Sequence, residues 1–329
     1  MKTALKTLLI VAVLCILAEG AYRLLFWQHD RHAYSGPLVA LVDQIDSTGA
    51  DILYLGESSN HTFGLDDTDT AWISEMVGRH FPTLTVRNMT HDASHAEVYY
   101  ELLRNIDPRC HIGTVVVTLN LRSFGVGWIY SPLETALQKR LVMMKGRPAL
   151  ANRAILSFKA YDIKTENERY QQMDHYWSQH PLPGHPSVPR WADSLNTDSS
   201  SMPGTFVRNY AFVIDTMENV RIADFDNIVQ LSRKRGWRLV FNLLAEDVEW
   251  AERLAGSDLT DLMHANAALL EEYYTRKGVV VVNNLDAVPD SLFRDRDWTT
   301  EHYLQQGRQI IADKVAEALR AFYPTAYQP

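Results

Sequence analysis

The chain has 329 residues, 46% of them hydrophobic and 22% charged, enough apolar material for a large core in one or two domains. A net charge of -8 and an isoelectric point near 5.8 exclude the basic footprint that nucleic-acid binding requires. The two cysteines, Cys15 and Cys110, are too few for a disulfide framework, and no cysteine or histidine spacing describes a metal site.

The first 28 residues read as a membrane anchor. Lys2 and Lys6 precede the apolar run Leu8 to Ala18, and Tyr22, Phe26 and Trp27 follow it, as at the interfacial end of a single span. Two other readings fit the same residues. A cleaved signal peptide would use Ala18 and Gly20 before Ala21, and a buried N-terminal helix would belong to a cytoplasmic protein. Ala12-Val13-Leu14 before Cys15 lacks the small residue of a lipoprotein signal. With an anchor, the positive N-terminus lies in the cytoplasm and the bulk of the chain is extracytoplasmic.

Residues 29–50 read as a juxtamembrane connector with a short helix over Leu38 to Ile45. The apolar run Asp51 to Leu55 predicts a first strand ending at Gly56, and Thr70 to His80 carries helical spacing. Thr83 to Asn88 predicts a second strand, Ala93 to Ile106 a helix closed by Pro108, and Thr114 to Leu119 a buried third strand. Residues from about 121 to 205 break this rhythm. They hold helical patches over Leu133–Met144 and Leu150–Tyr161, then a polar tract with Pro181, Pro183, Pro186, Pro189 and Ser199-Ser200-Ser201, and read as an insertion forming a cap or partner surface, or else a solvated loop. A long helix from Tyr210 to Arg235, a strand over Arg238 to Leu243, a helical region from Val248 to Lys277, a strand over Val279 to Asn283 and a helix over Gly307 to Phe322 complete the chain. Strands alternating with helices indicate βαβ units and a parallel sheet.

Ser58 and Ser59 stand where the first strand ends, the edge at which α/β sheets bind ligands. His302, between the fifth strand and the last helix, belongs at that same edge. Serine is a weak nucleophile until a base takes its proton, and histidine titrates in the range to do so. Each residue also has a plain structural use, Ser58 as a helix cap and His302 as a helix-start histidine satisfied by backbone.

Gly56-Glu57-Ser58 after a first strand resembles the Gly-Asp-Ser block of the SGNH (GDSL-like) hydrolase superfamily. His302 followed by Gly307 and an amphipathic helix is similar to that family's closing Asp-x-x-His block. Asn88 resembles the start of the second block, with Ala93 where the family has an oxyanion glycine. Asn120 stands in the third block, where Asn120-Leu121-Arg122-Ser123 departs from Gly-x-Asn-Asp. The resemblance covers about residues 51 to 322 and implies a three-layer α/β/α sandwich on a flavodoxin-like sheet, here a domain of residues 51–329 carrying the insertion.

It also implies an acyl-enzyme mechanism without a cofactor, with Ser58 as nucleophile, His302 as base and an oxyanion hole built from the backbone N–H groups of Ser58 and Ala93 and the Asn120 side chain. The family's acid precedes the histidine by three residues, where this chain has Thr299. Asp297 is the expected substitute, with Asp295 and Glu301 as poorer candidates and a serine–histidine dyad as a further alternative. Arg122, with Ser123, Phe124 and Trp128, is read as contacting an anionic or sugar substrate, or else as a salt-bridged loop arginine. His91 and His95 read as lining the pocket mouth more than as metal ligands.

The anchored envelope type within the family includes proteins that O-acetylate alginate or D-alanylate teichoic acid. By that similarity the expected function is a serine esterase or O-acyltransferase acting on acyl esters of an envelope glycan or polymer, with a multispanning membrane acyl-transfer protein as partner. The alternative is a non-catalytic assembly protein that keeps the fold. A nucleotide-binding protein is disfavoured because no glycine-rich phosphate loop follows any strand.

Overall fold

A computed structural model describes residues 2–129, 131–160 and 201–329. The proline-rich part of the insertion, with Pro181, Pro183, Pro186 and Pro189, lies outside the described residues.

Five strands form one wholly parallel sheet: β1 (Ala50–Gly56), β2 (Val86–Thr90), β3 (Ile112–Leu119), β4 (Arg238–Leu243) and β5 (Val280–Asn283), in the order β2-β1-β3-β4-β5. This is the doubly wound, flavodoxin-like order, which puts a topological switch point between β1 and β3. Because successive strand residues face opposite ways, the apolar runs feed two cores. Leu53, Leu55, Val115, Val117, Phe241 and Leu243 pack on one face beneath the helices Trp27–Thr48, Ala96–Asn105, Val220–Arg235 and Ser257–Arg276. Ile52, Tyr54, Val116 and Val240 pack on the other, beneath Ile73–Arg79 and Gln305–Arg320. The result is an α/β/α sandwich.

Several boundaries differ from the sequence expectation, for local reasons. Residues 29–50 are not a spacer. The helix Trp27–Thr48 buries Leu38, Val39, Val42 and Ile45 in the core, with non-helical dihedrals at Ser35 where Pro37 removes an N–H donor. The helix expected from Tyr210 to Arg235 is two, Met202–Tyr210 and Val220–Arg235, and Asn219 caps the second by accepting from Arg221 N–H. Gly256, at φ 89°, divides Val248–Ala255 from Ser257–Arg276. Ahead of all this, Thr3–Leu25 forms one helix with a mean hydropathy of 2.1, long and apolar enough to cross a membrane.

Candidate active site

The site is built where β1, β2 and β3 end together. Register pairs Gly56 with Thr90 and Leu55 with Val117, so the residues just past these strands, Glu57-Ser58, His91-Asp92-Ala93 and Asn120, share one sheet edge.

Ser58 begins the short helix Ser58–His61, immediately after Gly56 and Glu57. The chain reverses so tightly here that a Cβ on Gly56 would sit 2.7 Å from Asn60 Cβ, which explains a glycine at this position. Asn60 is fully buried and fixes the turn. Its amide donates to Thr90 Oγ1 at 2.8 Å and to Ser74 Oγ at 3.1 Å, and its carbonyl accepts from Ser74 N–H at 2.8 Å. His61 Nε2 reaches Asp92 Oδ1 at 2.6 Å, tying the serine helix to the loop after β2.

His302 arrives from the other end of the chain. The segment before it closes as a hairpin: Phe293 bridges Tyr303 in antiparallel fashion, and Arg294 N–H donates to His302 carbonyl at 2.9 Å. The last helix is then fastened to the serine loop. Buried Arg308 donates to Asp67 at 2.8 Å and to Thr62 carbonyl at 3.2 Å, and Gln305 N–H donates to Asp67 at 3.0 Å. A Cβ at Gly307 would lie 3.0 Å from Tyr303 Cβ and 3.2 Å from Leu292 carbonyl, so the helix approaches this hairpin closely only with glycine there.

These constraints bring Ser58 Oγ to 2.9 Å from His302 Nε2, and His302 Nδ1 to 2.6 Å from Asp295 Oδ2. Thr300 Oγ1 also donates to Asp295. Burial pushes the Asp295 carboxyl up, but the hydrogen bonds from Thr300 and His302 outweigh it and hold its pKa below the ordinary aspartate value. Nucleophile, base and orienting acid within hydrogen-bond reach form the arrangement that activates serine towards carbonyl carbon. Ser58 Oγ is also 2.9 Å from Glu57 Oε2, while the other Glu57 oxygen accepts from Ser59 N–H at 3.1 Å. One hydroxyl proton thus has two acceptors in reach, and only donation to His302 readies the oxygen for attack. Ser59, the rival serine in sequence, is fully buried, with its hydroxyl turned away from solvent.

The carboxylate within hydrogen-bond reach of His302 is therefore Asp295 and not the expected Asp297. Hairpin pairing sets Arg294 across from His302, which puts Asp295 beside the imidazole. The turn of the hairpin carries Asp297 into solvent, where it makes no polar contact with the described residues. Thr299, at the family's acid position, is buried with its carbonyl accepting from Arg122 Nη1 at 2.6 Å. Glu301 is also turned inward.

Arg122 is turned inward too, as in the salt-bridged alternative. It is buried, donates to Glu301 at 2.6 Å and lies over the Trp128 ring at 4.7 Å. Its guanidinium offsets a buried acidic group behind the triad. Burial and the neighbouring Glu301 carboxyl push Glu246 well above the ordinary range, and Tyr210 donates to it at 2.5 Å. Burial pushes the Glu301 carboxyl up as well, and the Arg122 guanidinium is the positive charge that faces this buried acidic pair.

Ala93 has φ 56°, a left-handed conformation in which a non-glycine residue is unusual. Its N–H finds no acceptor among the described residues. Asn120 is 8% exposed, its buried Oδ1 has no partner, and its amide makes no hydrogen bond within the described residues. Unused donors at a sheet edge beside a nucleophile are what an oxyanion site needs.

His91 and His95 do not converge. His91 faces Arg140 at 2.5 Å, whereas His95 is buried with Nε2 3.0 Å from the Glu134 carboxylate, to which Arg221 also donates. Residues that sequence reasoning missed, Asn60, Asp67 and Arg308, carry no spacing signal, since the partners that fix them are distant in the chain. A cavity of about 460 Å³ along β2 is lined by residues such as Phe81, Leu84 and Arg87 and lies away from Ser58.

No protein-family model and no curated protein sequence matches the chain. Its backbone is similar to three solved lipases. A lipase/acylhydrolase from Enterococcus faecalis aligns at 9% identity over 82% of this chain and 96% of its own, with a TM-score of 0.38. A GDSL-like lipase from Bacteroides thetaiotaomicron aligns at 9% identity over 85% and 96%, with a TM-score of 0.37. An extracellular lipase from Streptomyces rimosus aligns at 11% identity over 82% and 100%, with a TM-score of 0.39. Similarity at this level bears on neither chemistry nor substrate.

Proposed function

We propose that this chain is a membrane-anchored serine esterase or O-acyltransferase working through an acyl-enzyme. The observation that carries the reading is the relay from Ser58 Oγ through His302 to Asp295, at 2.9 Å and 2.6 Å. Ser58 Oγ attacks the ester carbonyl as His302 Nε2 takes its proton, and Asp295 orients the ring and stabilises the imidazolium. Negative charge on the former carbonyl oxygen is met by the N–H groups of Ser58 and Ala93 and by the Asn120 amide. His302 returns the proton to the departing alkoxide, leaving the acyl group on Ser58. Water or an incoming hydroxyl, deprotonated by the same imidazole, then releases it.

In this reading residues 1–28 are the anchor and Lys2 and Lys6 keep the N-terminus cytoplasmic, so the catalytic domain is extracytoplasmic. The acceptor is a hydroxyl of an envelope glycan or polymer, and a multispanning acyl-transfer protein supplies the acyl group. Fluorophosphonate labelling of the wild type beside Ser58→Ala tests the chemistry. Covalent labelling that depends on Ser58 is expected, and its absence together with no ester turnover would leave a non-catalytic assembly protein as the reading. Product analysis with and without a sugar acceptor separates transferase from hydrolase.

A further inference from the structure

The position of the apolar helix relative to the sheet bears on where the substrate comes from. The helix Trp27–Thr48 passes into β1 through Gly49 alone. A helix packed on a sheet and followed at once by a strand runs antiparallel to that strand. Its last turn therefore lies at the amino edge of the sheet and its first turns at the carboxyl edge, where Ser58 sits. The chain kinks at Ser35, and at 1.5 Å per residue the part after the kink spans about 20 Å, close to the roughly 23 Å of the seven residues of β1. The buried residues Leu38 to Ile45 are in this part, which covers the sheet, so the kink and the turns before it stand at the carboxyl edge.

What those turns touch agrees with this. Ser35 donates to Arg140 carbonyl, and Trp27 and Tyr34 pack with Val142, Met143 and Leu156, all from the insertion that leaves the carboxyl end of β3. Arg140 in turn meets His91, in the loop that carries Ala93.

The apolar helix precedes Trp27 with only Phe26 between, and it is braced. Glu19 accepts from the N–H groups of Ala149 and Leu150 at 2.7 and 2.9 Å, capping the helix Ala149–Ser157. Asp30 joins Tyr22 at 2.7 Å to Arg153 at 3.1 Å. Around this joint Leu24, Leu25, Phe26 and Phe158 are 87%, 70%, 55% and 83% exposed, extending the apolar surface of the span onto the domain. That continuity identifies the occupant as lipid, since the surface grows out of the helix that would enter the bilayer.

Building on the esterase reading, we infer that the Ser58 edge faces the bilayer, that Phe158 and the end of its helix rest in the lipid interface, and that the site takes acyl esters borne by amphiphiles at the membrane surface. The brace holds the carboxyl edge towards the lipid instead of leaving the domain on a tether.

The test uses the full chain in vesicles of phosphatidylcholine and phosphatidylglycerol, with Cys15 and Cys110 changed to serine. A single cysteine is introduced by Phe158→Cys, or by Arg109→Cys at the amino edge, and labelled with an environment-sensitive fluorophore. Spin-labelled lipid is expected to quench the probe at 158 strongly and the probe at 109 hardly at all, and equal quenching would overturn the orientation. Glu19→Ala, which frees the brace, is expected to slow hydrolysis of p-nitrophenyl palmitate in the vesicles by about tenfold through lost positioning, while soluble p-nitrophenyl acetate turns over as before. Equal loss on both esters, or none on either, overturns the substrate class. Asymmetric quenching without turnover of either ester sinks the esterase reading alone.

Discussion

Two of the histidine–carboxylate pairs among the described residues, one part-buried at the Ser58 edge and one fully buried, show by their difference what makes such a pair chemical. His302 and Asp295 are 2.6 Å apart, and the free ring nitrogen of His302 faces the Ser58 hydroxyl at 2.9 Å. His95 and Glu134 are 3.0 Å apart, but the free nitrogen of His95 is buried with no polar partner. Desolvation lowers the pKa of His95, with the Arg221 charge adding to it, and Arg221 completes the Glu134 ion pair. The first pair has something to deprotonate and access to solvent. The second is a strut joining the loop after β2 to the insertion helix Pro132–Leu141. Two histidine–carboxylate pairs thus diverge by what the second nitrogen meets.

The comparison breaks most severely at the nucleophile and base. Ser58→Ala and His302→Ala are each expected to lower kcat on a soluble ester by about 10⁴-fold or more, with the double variant little worse than either single one. Additive losses would mean that the two do not act as a unit.

Asp295→Asn is expected to lower kcat by roughly 10³- to 10⁴-fold because the ring loses its orienting charge, whereas Asp297→Asn stays within about twofold. The reverse ranking would restore the acid that sequence spacing favours. Asn120→Ala, removing a side-chain donor, is expected to cost about 10²-fold in kcat with KM nearly unchanged.

On the strut, Glu134→Gln is expected to act on stability, by about 3 kcal/mol in denaturant titration, because it leaves buried Arg221 with only the longer contact to Asp224, at 3.4 Å. Burial raises the Glu134 carboxyl, yet His95 and Arg221 overcome this and bring it to about 2. A folded value below that of the unfolded carboxyl means that the stabilisation is full above about pH 5 and disappears as the pH falls towards 2. The gap between wild type and variant should close over that window. A gap that persists at low pH would show that packing, not charge, sets the cost.

The smallest effect is expected at Ala93→Gly. Relief of the left-handed strain, about 1 kcal/mol, is offset by greater freedom of the unfolded chain, and because the donor is a backbone N–H the kcat stays within about threefold.

Much of this was legible without coordinates because it rests on local pattern. The apolar runs of β1, β3 and β4, the helix Gln305–Arg320 and the apolar stretch Thr3–Leu25 follow from periodicity and composition. Ser58 and His302 were legible as strand-end and helix-start residues flanked by Gly56 and Gly307, each a glycine because the chain closes tightly upon it. For Arg122 the sequence leaves open a substrate contact or a salt bridge, because a guanidinium beside aromatic residues looks the same whether it faces a ligand or a buried carboxylate; the structure shows the salt bridge, with Glu301.

The sequence by itself determined the layered α/β architecture and the two ends of the relay, since hydrophobic period and glycine position are properties of short segments. The tertiary structure alone decided that Asp295 lies against His302, that Asp297 points to water and that Arg122 is turned inward onto Glu301. It also decided that the helix after the apolar segment lies against the core and ends at the reactive edge. Those outcomes depend on hairpin pairing and on which groups must be neutralised when they leave water, and both involve residues far apart in the chain.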